Sequence, residues 1–343
     1  MNMVYSSAHR AHAPAKEFLD GQLVDVFEKP ERAELILQAV DAAGLGAVGA
    51  PKDFGMAPIE AIHTADYLEF LRTAYARWLA DGRDTHALYP DTFFKPPFTH
   101  RSAKIGAQAG IYMMDMSAPI TGGTWDAAYQ SAQCALTAAE QVRGGARSAF
   151  ALCRPPGHHA HANIAGGYCY LNNVAIAAQW LREHGARSAA ILDIDVHHGN
   201  GTQHIFYERN DVLFVSLHGD PDWQYPYFLG AASETGMGAG AGFTRNYPLP
   251  QRADDAAFLR ALDAGCEDIV QHAPEVLLVS LGVDTFVEDP LGGLSVTAGA
   301  YARIGARIAQ LRLPTVFVME GGYAIAPLGG NVANVLLGFE RSR

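Results

Sequence analysis

The chain has 343 residues, 49% hydrophobic and 18% charged, with 36 acidic against 25 basic side chains and a formal net charge of −11. That apolar fraction excludes a disordered chain. The acid excess, with five lysines and none beyond Lys104, argues against the basic surfaces that bind nucleic acid or anionic membranes.

Along the chain, Met1 to Lys16 carries histidines but no apolar run, so no signal peptide is expected. Helices are expected over Pro30–Ala43, with the proline at the start, and Ala65–Ala80. The segment from Asp81 to Thr124 reads as irregular, with Pro90, Pro96, Pro97 and Pro119 and the aromatic group Tyr89, Phe93, Phe94 and Phe98. A loop this long is expected to shape a site or to contact another subunit. A helix follows over Trp125–Arg143, then a strand at Ala149–Leu152 and a helix at Asn173–His184. Strands at Ala189–Ile194 and Val212–Leu217 come next. The glycine-rich run 236–242 does not fit Gly-x-Gly-x-x-Gly and reads as a flexible loop. The helix Asp254–Gln271, the strand Val276–Leu281, the helix Thr297–Leu311 and the strand Thr315–Met319 complete the pattern.

The strands are nearly continuous in apolar residues, as strands buried on both faces are. Strands alternating with helices indicate an α/β class with a parallel sheet flanked by helices. At about 100–200 residues per domain the length admits two domains, but no linker composition interrupts the chain, so one domain over 1–343 is expected. A chain of this size buries enough surface to fold without disulfide or metal staples. Cys134, Cys153, Cys169 and Cys266 form no Cys-x-x-Cys pair and read as reduced core residues. No apolar run approaches the ~20 residues that span a bilayer. A soluble, cytoplasmic protein is expected.

Two histidine groups follow directly on predicted strands: Arg154-Pro155-Pro156-Gly157-His158-His159, with His161 nearby, and Asp193-Ile194-Asp195-Val196-His197-His198-Gly199-Asn200. In open α/β sheets ligands bind outside the carboxyl ends of strands, where these residues fall. Asp193, Asp195 and His197 alternate, so on an extended chain they share a face. Paired carboxylates beside an apolar strand are costly unless bound to a cation, which makes metal binding the leading reading. Asp284 follows the strand Val276–Leu281 in the same way. Asp195, His197 and Asp284 would make three protein ligands and an open position, the catalytic zinc pattern; the oxygen-rich set also suits Fe²⁺, Co²⁺ or Mn²⁺. Glu320-Gly321-Gly322-Tyr323 follows the last strand and would present a tyrosine hydroxyl.

These parts suit hydrolysis of an amide or ester. A metal lowers the pKa of water from about 15.7 to about 7 and polarises a carbonyl. His158 or His159 can move a proton, and Tyr323 can stabilise an oxyanion. No Gly-x-Ser-x-Gly elbow and no Walker A lysine is present.

With Gly167-Tyr168-Cys169-Tyr170-Leu171-Asn172-Asn173 and Gly321-Gly322-Tyr323 added, the chain resembles the histone deacetylase superfamily, most closely its bacterial acetylpolyamine amidohydrolase branch. The resemblance covers nearly the whole chain. It implies the arginase/deacetylase fold around a parallel eight-stranded sheet, with Asp195, His197 and Asp284 as zinc ligands. His159 is implied as general base and acid, with His158 as its partner. Asp193 would bond His158, Asn200 would contact His159, and Tyr323 would bond the scissile carbonyl. Tyr168 and Tyr225, with Gly167 and Ser117, would line the substrate channel. The resemblance further implies structural K⁺ at two sites, one at Asp193, Asp195, His197, Ser216 and Leu217, the other at carbonyls of Phe206, Arg209, Val212 and Phe243. It also implies a homodimer formed through the 81–124 loop.

A two-manganese ureohydrolase shares this fold, but Gly199 and Phe286 stand where that branch carries two further aspartates, so a mononuclear site is expected. The function implied is zinc-dependent deacetylation of small acylated amines such as acetylpolyamines. The alternatives are an acetyl-lysine protein or peptide deacetylase, a hydrolase of another small acyl amide, or a non-catalytic acyl-amine binder. In the polyamine branch, acids at the mouth attract the distal ammonium. Gly106 and Ser117 hold those positions here, with Asp91 and Asp115 nearby.

Overall fold

The structure, a computed structural model, describes residues 1–83, 86–95 and 100–342. Pro96, Pro97 and Phe98 of the 81–124 loop lie outside the described residues. In chain order the elements are β1 (Asn2–Val4), β2 (Lys16–Leu19), β3 (Gln22–Asp25), α1 (Glu31–Ala42), β4 (Val48–Gly49), α2 (Ala57–Glu60), α3 (Ala65–Ala80), α4 (Ile105–Tyr112), α5 (Thr124–Arg143), β5 (Ser148–Ala151), α6 (Asn173–Glu183), β6 (Ala189–Asp193) and α7 (Asn200–Phe206). They continue with β7 (Val212–Gly219), β8 (Thr244–Leu249), α8 (Asp255–His272), β9 (Val276–Leu281), α9 (Ala298–Ala309), β10 (Thr315–Met319) and α10 (Ile325–Arg341).

Eight strands form one sheet in the order β4-β1-β5-β10-β9-β6-β7-β8, and every pairing in it is parallel. β2 and β3 form a separate antiparallel hairpin. The strand period of two divides the apolar residues between two cores. Ala189, Ile191, Leu278 and Val318 face one core, packed by α3, α5 and α6. Ala190, Leu192, Leu277 and Phe317 face the other, packed by α1, α8, α9 and α10. Each fully buried aliphatic side chain there contributes roughly 1.5–3 kcal/mol. This is the physical reason that the strands read as unbroken apolar runs.

Register then positions the site. Asp193 at the end of β6 lies opposite Ser216 of β7 and Ser280 of β9, and Met319 of β10 lies opposite Leu281 of β9. The carboxyl ends of β6, β9 and β10 therefore finish together, and the segments that follow them converge.

The structure corrects one expectation and adds detail to another. The 81–124 segment is not irregular throughout, because α4 occupies Ile105–Tyr112. Two glycines concealed it by lowering helix propensity. Both serve packing: a Cβ at Gly110 would lie 1.6 Å from the Thr92 carbonyl oxygen, where the neighbouring Phe94 N–H donates to Gly110. In the 236–242 run, Met237, Gly238, Ala239 and Ala241 are exposed, while Gly240 is buried. The 3₁₀ turn at Gly238–Gly240 sits so close to Tyr207 that a Cβ at Gly240 would meet the Tyr207 carbonyl at 2.4 Å. The four cysteines are buried and free. Among the described residues no helix is long and apolar enough to cross a membrane.

Candidate active site

Asp195 and His197 lie on the segment leaving β6, and Asp284 on the segment leaving β9. Their donor atoms all lie within 4.8 Å of one another, the single such His/Cys/Asp/Glu cluster among the described residues. Asp195 Oδ1 accepts from the His197 backbone N–H at 2.9 Å, and Oδ2 accepts from Gly321 N–H at 2.8 Å. Asp284 Oδ1 accepts from Val196 N–H at 2.8 Å. Asp284 Oδ2 lies 3.3 Å from His197 Nδ1. That contact lacks hydrogen-bond alignment, so the oxygen is buried without a hydrogen bond.

The electrostatics of this cluster call for positive charge. Burial, then the neighbouring Asp195, pushes the Asp284 carboxyl up to about 7. Burial would lower His197, but its contacts with Asp195 and Asp284 outweigh it and push the imidazole up to about 10. Two glycines leave room for the carboxylates. A Cβ at Gly282 would lie 2.2 Å from Asp195 Oδ2, and one at Gly321 would lie 2.0 Å from Asp284 Oδ2. An unsatisfied buried oxygen, a glycine cradle and a mixed O/N donor set fit a divalent cation. The space beside Gly199 is filled by Asp193, whose Oδ2 would lie 2.2 Å from a Cβ there, so a further carboxylate has no room at that position.

The histidine pair stands beside this cluster, with ring centroids 4.0 Å apart. His158 Nδ1 lies 2.9 Å from Asp193 Oδ2. Burial opposes its charge, yet Asp193 and Asp195 outweigh burial and push it up to about 10. His159 Nδ1 lies 2.6 Å from Asn200 Oδ1. Burial, then His158 and His197, drives His159 well below the ordinary histidine range. Two adjacent imidazoles are thus pushed in opposite directions, an arrangement that separates proton roles. Glu320 Oε2 accepts from the backbone N–H groups of Gly157 at 2.7 Å and His158 at 3.2 Å, which ties the histidine segment to the end of β10.

Tyr323 reaches the same region from the turn after β10. Asp289 Oδ2 accepts from its backbone N–H at 2.6 Å and from Ala324 N–H at 3.0 Å. The Arg32 guanidinium lies 4.7 Å from the ring centroid and donates to the carbonyls of Gly322 and Glu320 at 2.6 and 2.8 Å. Burial pushes the phenol well above its ordinary value, so the hydroxyl stays a donor.

A cavity of about 260 Å³ opens onto these groups, lined by His159, His197, Tyr323, Gly167, Tyr168 and Tyr225, with Asp115, Ser117 and Asp20 also on its wall. Gly167 and Tyr168 have φ of +53° and +66°. At Gly167 that conformation suits glycine, and a Cβ would strike the His159 ring at 2.4 Å. Asp115 turns inward: its Oδ2 accepts from Tyr225 O–H at 2.5 Å and Gly167 N–H at 2.9 Å. Its Oδ1 accepts from Ser117 Oγ at 2.9 Å. Asp91 instead packs on Gly106 and pairs with Arg83 at 2.9 Å.

The residues singled out from the sequence for catalysis, metal and substrate therefore converge. Of those implied for K⁺, Asp193 and Ser216 are register partners, and Phe206, Arg209 and Val212 span the turn from α7 to β7, where Phe214 N–H donates to the Phe243 carbonyl. Sequence reasoning missed Arg32 and Asp289 and gave Glu320 no role. Arg32 and Asp289 stand far along the chain from the groups they hold and belong to no strand-end motif; only Glu320, adjoining Gly321-Gly322-Tyr323, carried a signal.

Fold and site together define an α/β protein with a buried Asp/His cluster, a histidine pair and a tyrosine gathered beyond the carboxyl ends of β5, β6, β9 and β10, an arrangement suited to hydrolysis. A histone deacetylase domain matches residues 26–339. Acetylpolyamine amidohydrolase 1 of Pseudomonas aeruginosa is 52% identical over 343 residues, 99% of each chain. Acetylpolyamine amidohydrolase of Mycoplana ramosa is 45% identical over 338 residues, 98% of this chain and 99% of that one. The crystal structure of acetylpolyamine aminohydrolase from Burkholderia pseudomallei matches with a TM-score of 0.96 at 43% identity, covering 100% of this chain and 99% of that one. The chain belongs to the histone deacetylase family, and it is a hydrolytic deacetylase.

Proposed function

We propose that this chain is a zinc-dependent amidohydrolase that removes acetyl groups from small acylated amines of the acetylpolyamine type. The observation that carries the reading is the buried Asp195, His197 and Asp284 cluster beside a cavity lined by His159, His197 and Tyr323. The polyamine class is supported by relatives named as acetylpolyamine amidohydrolases.

Asp195, His197 and Asp284 would hold the cation, and their donor set suits zinc as well as Fe²⁺, Co²⁺ or Mn²⁺. When bound, the cation supplies a water of lowered pKa and a polarised carbonyl. His159, favoured in its neutral form by its burial, takes a proton from the attacking water and returns it to the departing amine. Tyr323 donates its hydroxyl hydrogen bond to the carbonyl oxygen as charge develops there. His158, held positive by Asp193, and Asn200 orient His159. Tyr168 and Tyr225 confine a slender acyl amine between aromatic walls.

The K⁺ sites belong to the same reading, and K⁺ raising the melting temperature would support them. So does a homodimer through the 81–124 segment, where Phe93 and Phe94 are exposed; light scattering reads that state. The pairing of Asp91 with Arg83 favours a second reading in which the mouth accepts other short acyl amides as well. Metal stripping and zinc reconstitution, followed by hydrolysis of N-acetylputrescine, N-acetylcadaverine and an acetyl-lysine peptide, test the assignment. Zinc-restored turnover of the acetylated diamines supports it, and a metal-loaded protein without amide hydrolysis overturns it.

A further inference from the structure

The side-chain amide of Asn200, at the start of α7, makes three contacts that admit one orientation. Its Oδ1 lies 2.6 Å from His159 Nδ1. Its Nδ2 lies 3.0 Å from His161 Nε2 and 3.5 Å from Met114 Sδ. A thioether sulfur accepts hydrogen bonds and never donates, whereas an imidazole nitrogen does either according to its tautomer. Turning the amide over would aim its oxygen at the lone pairs of Met114. It would also aim its N–H at His159 Nδ1 and so drive the His159 proton to Nε2, the nitrogen a base must keep free.

His161 completes the constraint. Its backbone N–H donates to Ile164 at 2.9 Å. Its ring stacks on His204 with centroids 4.5 Å apart and planes at 30°. His204 stands four residues beyond Asn200 on the same helix, hence on the same face. Burial, then His204, lowers His161 to about 3, so the ring is neutral and, with its proton on Nδ1, its Nε2 accepts from the Asn200 amide.

We propose that His161, with Met114, is a positioning residue: by accepting both N–H groups of the Asn200 amide it holds the amide oxygen on His159 Nδ1, which keeps the proton there and the lone pair on His159 Nε2. This rests on reading His159 as the general base. The roles of Asn200 and His159 are those the family resemblance implies; the part played by His161 and Met114 rests on the contacts of this chain.

The test uses the metal-loaded enzyme with ¹⁵N-labelled histidine. Long-range ¹H–¹⁵N correlation reads the His159 tautomer, and the His159 signals are assigned by their loss in His159→Phe. Wild type shows the Nδ1–H form. His161→Lys, which offers donors only, moves His159 toward the Nε2–H form and lowers kcat by about 10²-fold with little change in KM, the scale of a general-base contribution. His161→Gln, which restores an acceptor, recovers the Nδ1–H tautomer and most of kcat. His161→Leu serves where the lysine variant does not fold, and gives a mixture of tautomers with an intermediate kcat. An unchanged tautomer in the lysine or leucine variant overturns the proposal, as does equal loss of kcat in the lysine and glutamine variants. The reading of His159 fails separately, when His159→Phe retains wild-type kcat.

Discussion

Gly321→Ala puts the metal reading to a geometric test. The residue does not adopt a left-handed φ, so alanine adds no backbone strain and only the new methyl matters. That Cβ would lie 2.0 Å from Asp284 Oδ2 and 2.6 Å from Asp195 Oδ2, while contacts under 3.0 Å essentially do not occur. The Asp284 carboxylate must therefore retreat by at least 3.0 − 2.0 = 1.0 Å. Metal–ligand distances tolerate only about ±0.2 Å, so the cluster cannot keep all three ligands in place. Metal affinity should fall at least 10–100-fold, the cost seen when supporting groups are lost, and kcat/KM by about 10²-fold, as for an ~1 Å misplacement. The control is Gly330→Ala on α10, where a Cβ meets nothing within 4 Å; a gain of about 1 kcal/mol in stability and unchanged kcat/KM are expected there. Metal content after dialysis, read by mass spectrometry beside kcat/KM, is the assay. A Gly321→Ala enzyme that keeps a full complement of metal and kcat/KM within twofold of wild type would refute the geometry.

Two further outcomes follow from the site and its surroundings. Tyr323→Phe removes one oxyanion donor without touching the metal ligands, so kcat should drop about 10²–10³-fold while zinc content stays at the wild-type level; unchanged kcat would remove the tyrosine from the reaction. His63 is lowered to about 4 by burial and accepts from Asn172 N–H through Nε2 at 3.0 Å, and burial likewise lowers His218 to about 4. Their folded pKa values lie below the unfolded value of about 6.5, so the unfolded chain binds more protons. Stability is therefore complete above pH 6.5 and falls as pH drops toward 4, by up to about 1.4 kcal/mol per pH unit for each histidine. Urea midpoints from pH 8 to 5 should show this slope reduced by one histidine's share in His63→Gln, and a variant slope equal to wild type would contradict it.

What the sequence made legible follows from burial. β9 and β10 were delimited to the residue, and β5, β6 and β7 within one or two residues at each end, because strands covered on both faces leave unbroken apolar runs. β8 escaped notice because it is an edge strand with Arg245, Asn246 and Pro248 in its six residues, and an edge tolerates both charge and proline. α10 was hidden by Gly329, Gly330 and Gly338. Gly338 allows contact with α9, since a Cβ there would lie 2.0 Å from the Ala302 carbonyl. The site showed the same division. Asp195, His197 and Asp284 lie immediately past apolar strands, so strand ends alone brought them together. Asp115 and Met114 reach the site from the loop after α4, and Arg32 from α1; their placement depends on tertiary packing that no local pattern encodes.

The central claim is that the cation held by Asp195, His197 and Asp284 drives deacetylation of a small acylated amine. Its most direct test is kcat/KM for N-acetylputrescine measured on metal-free protein and again during titration with zinc. Activity should be absent at the start and rise in proportion to zinc up to one equivalent per chain. Turnover that persists without metal, or a zinc-saturated enzyme that leaves acetylated diamines intact, would contradict the account.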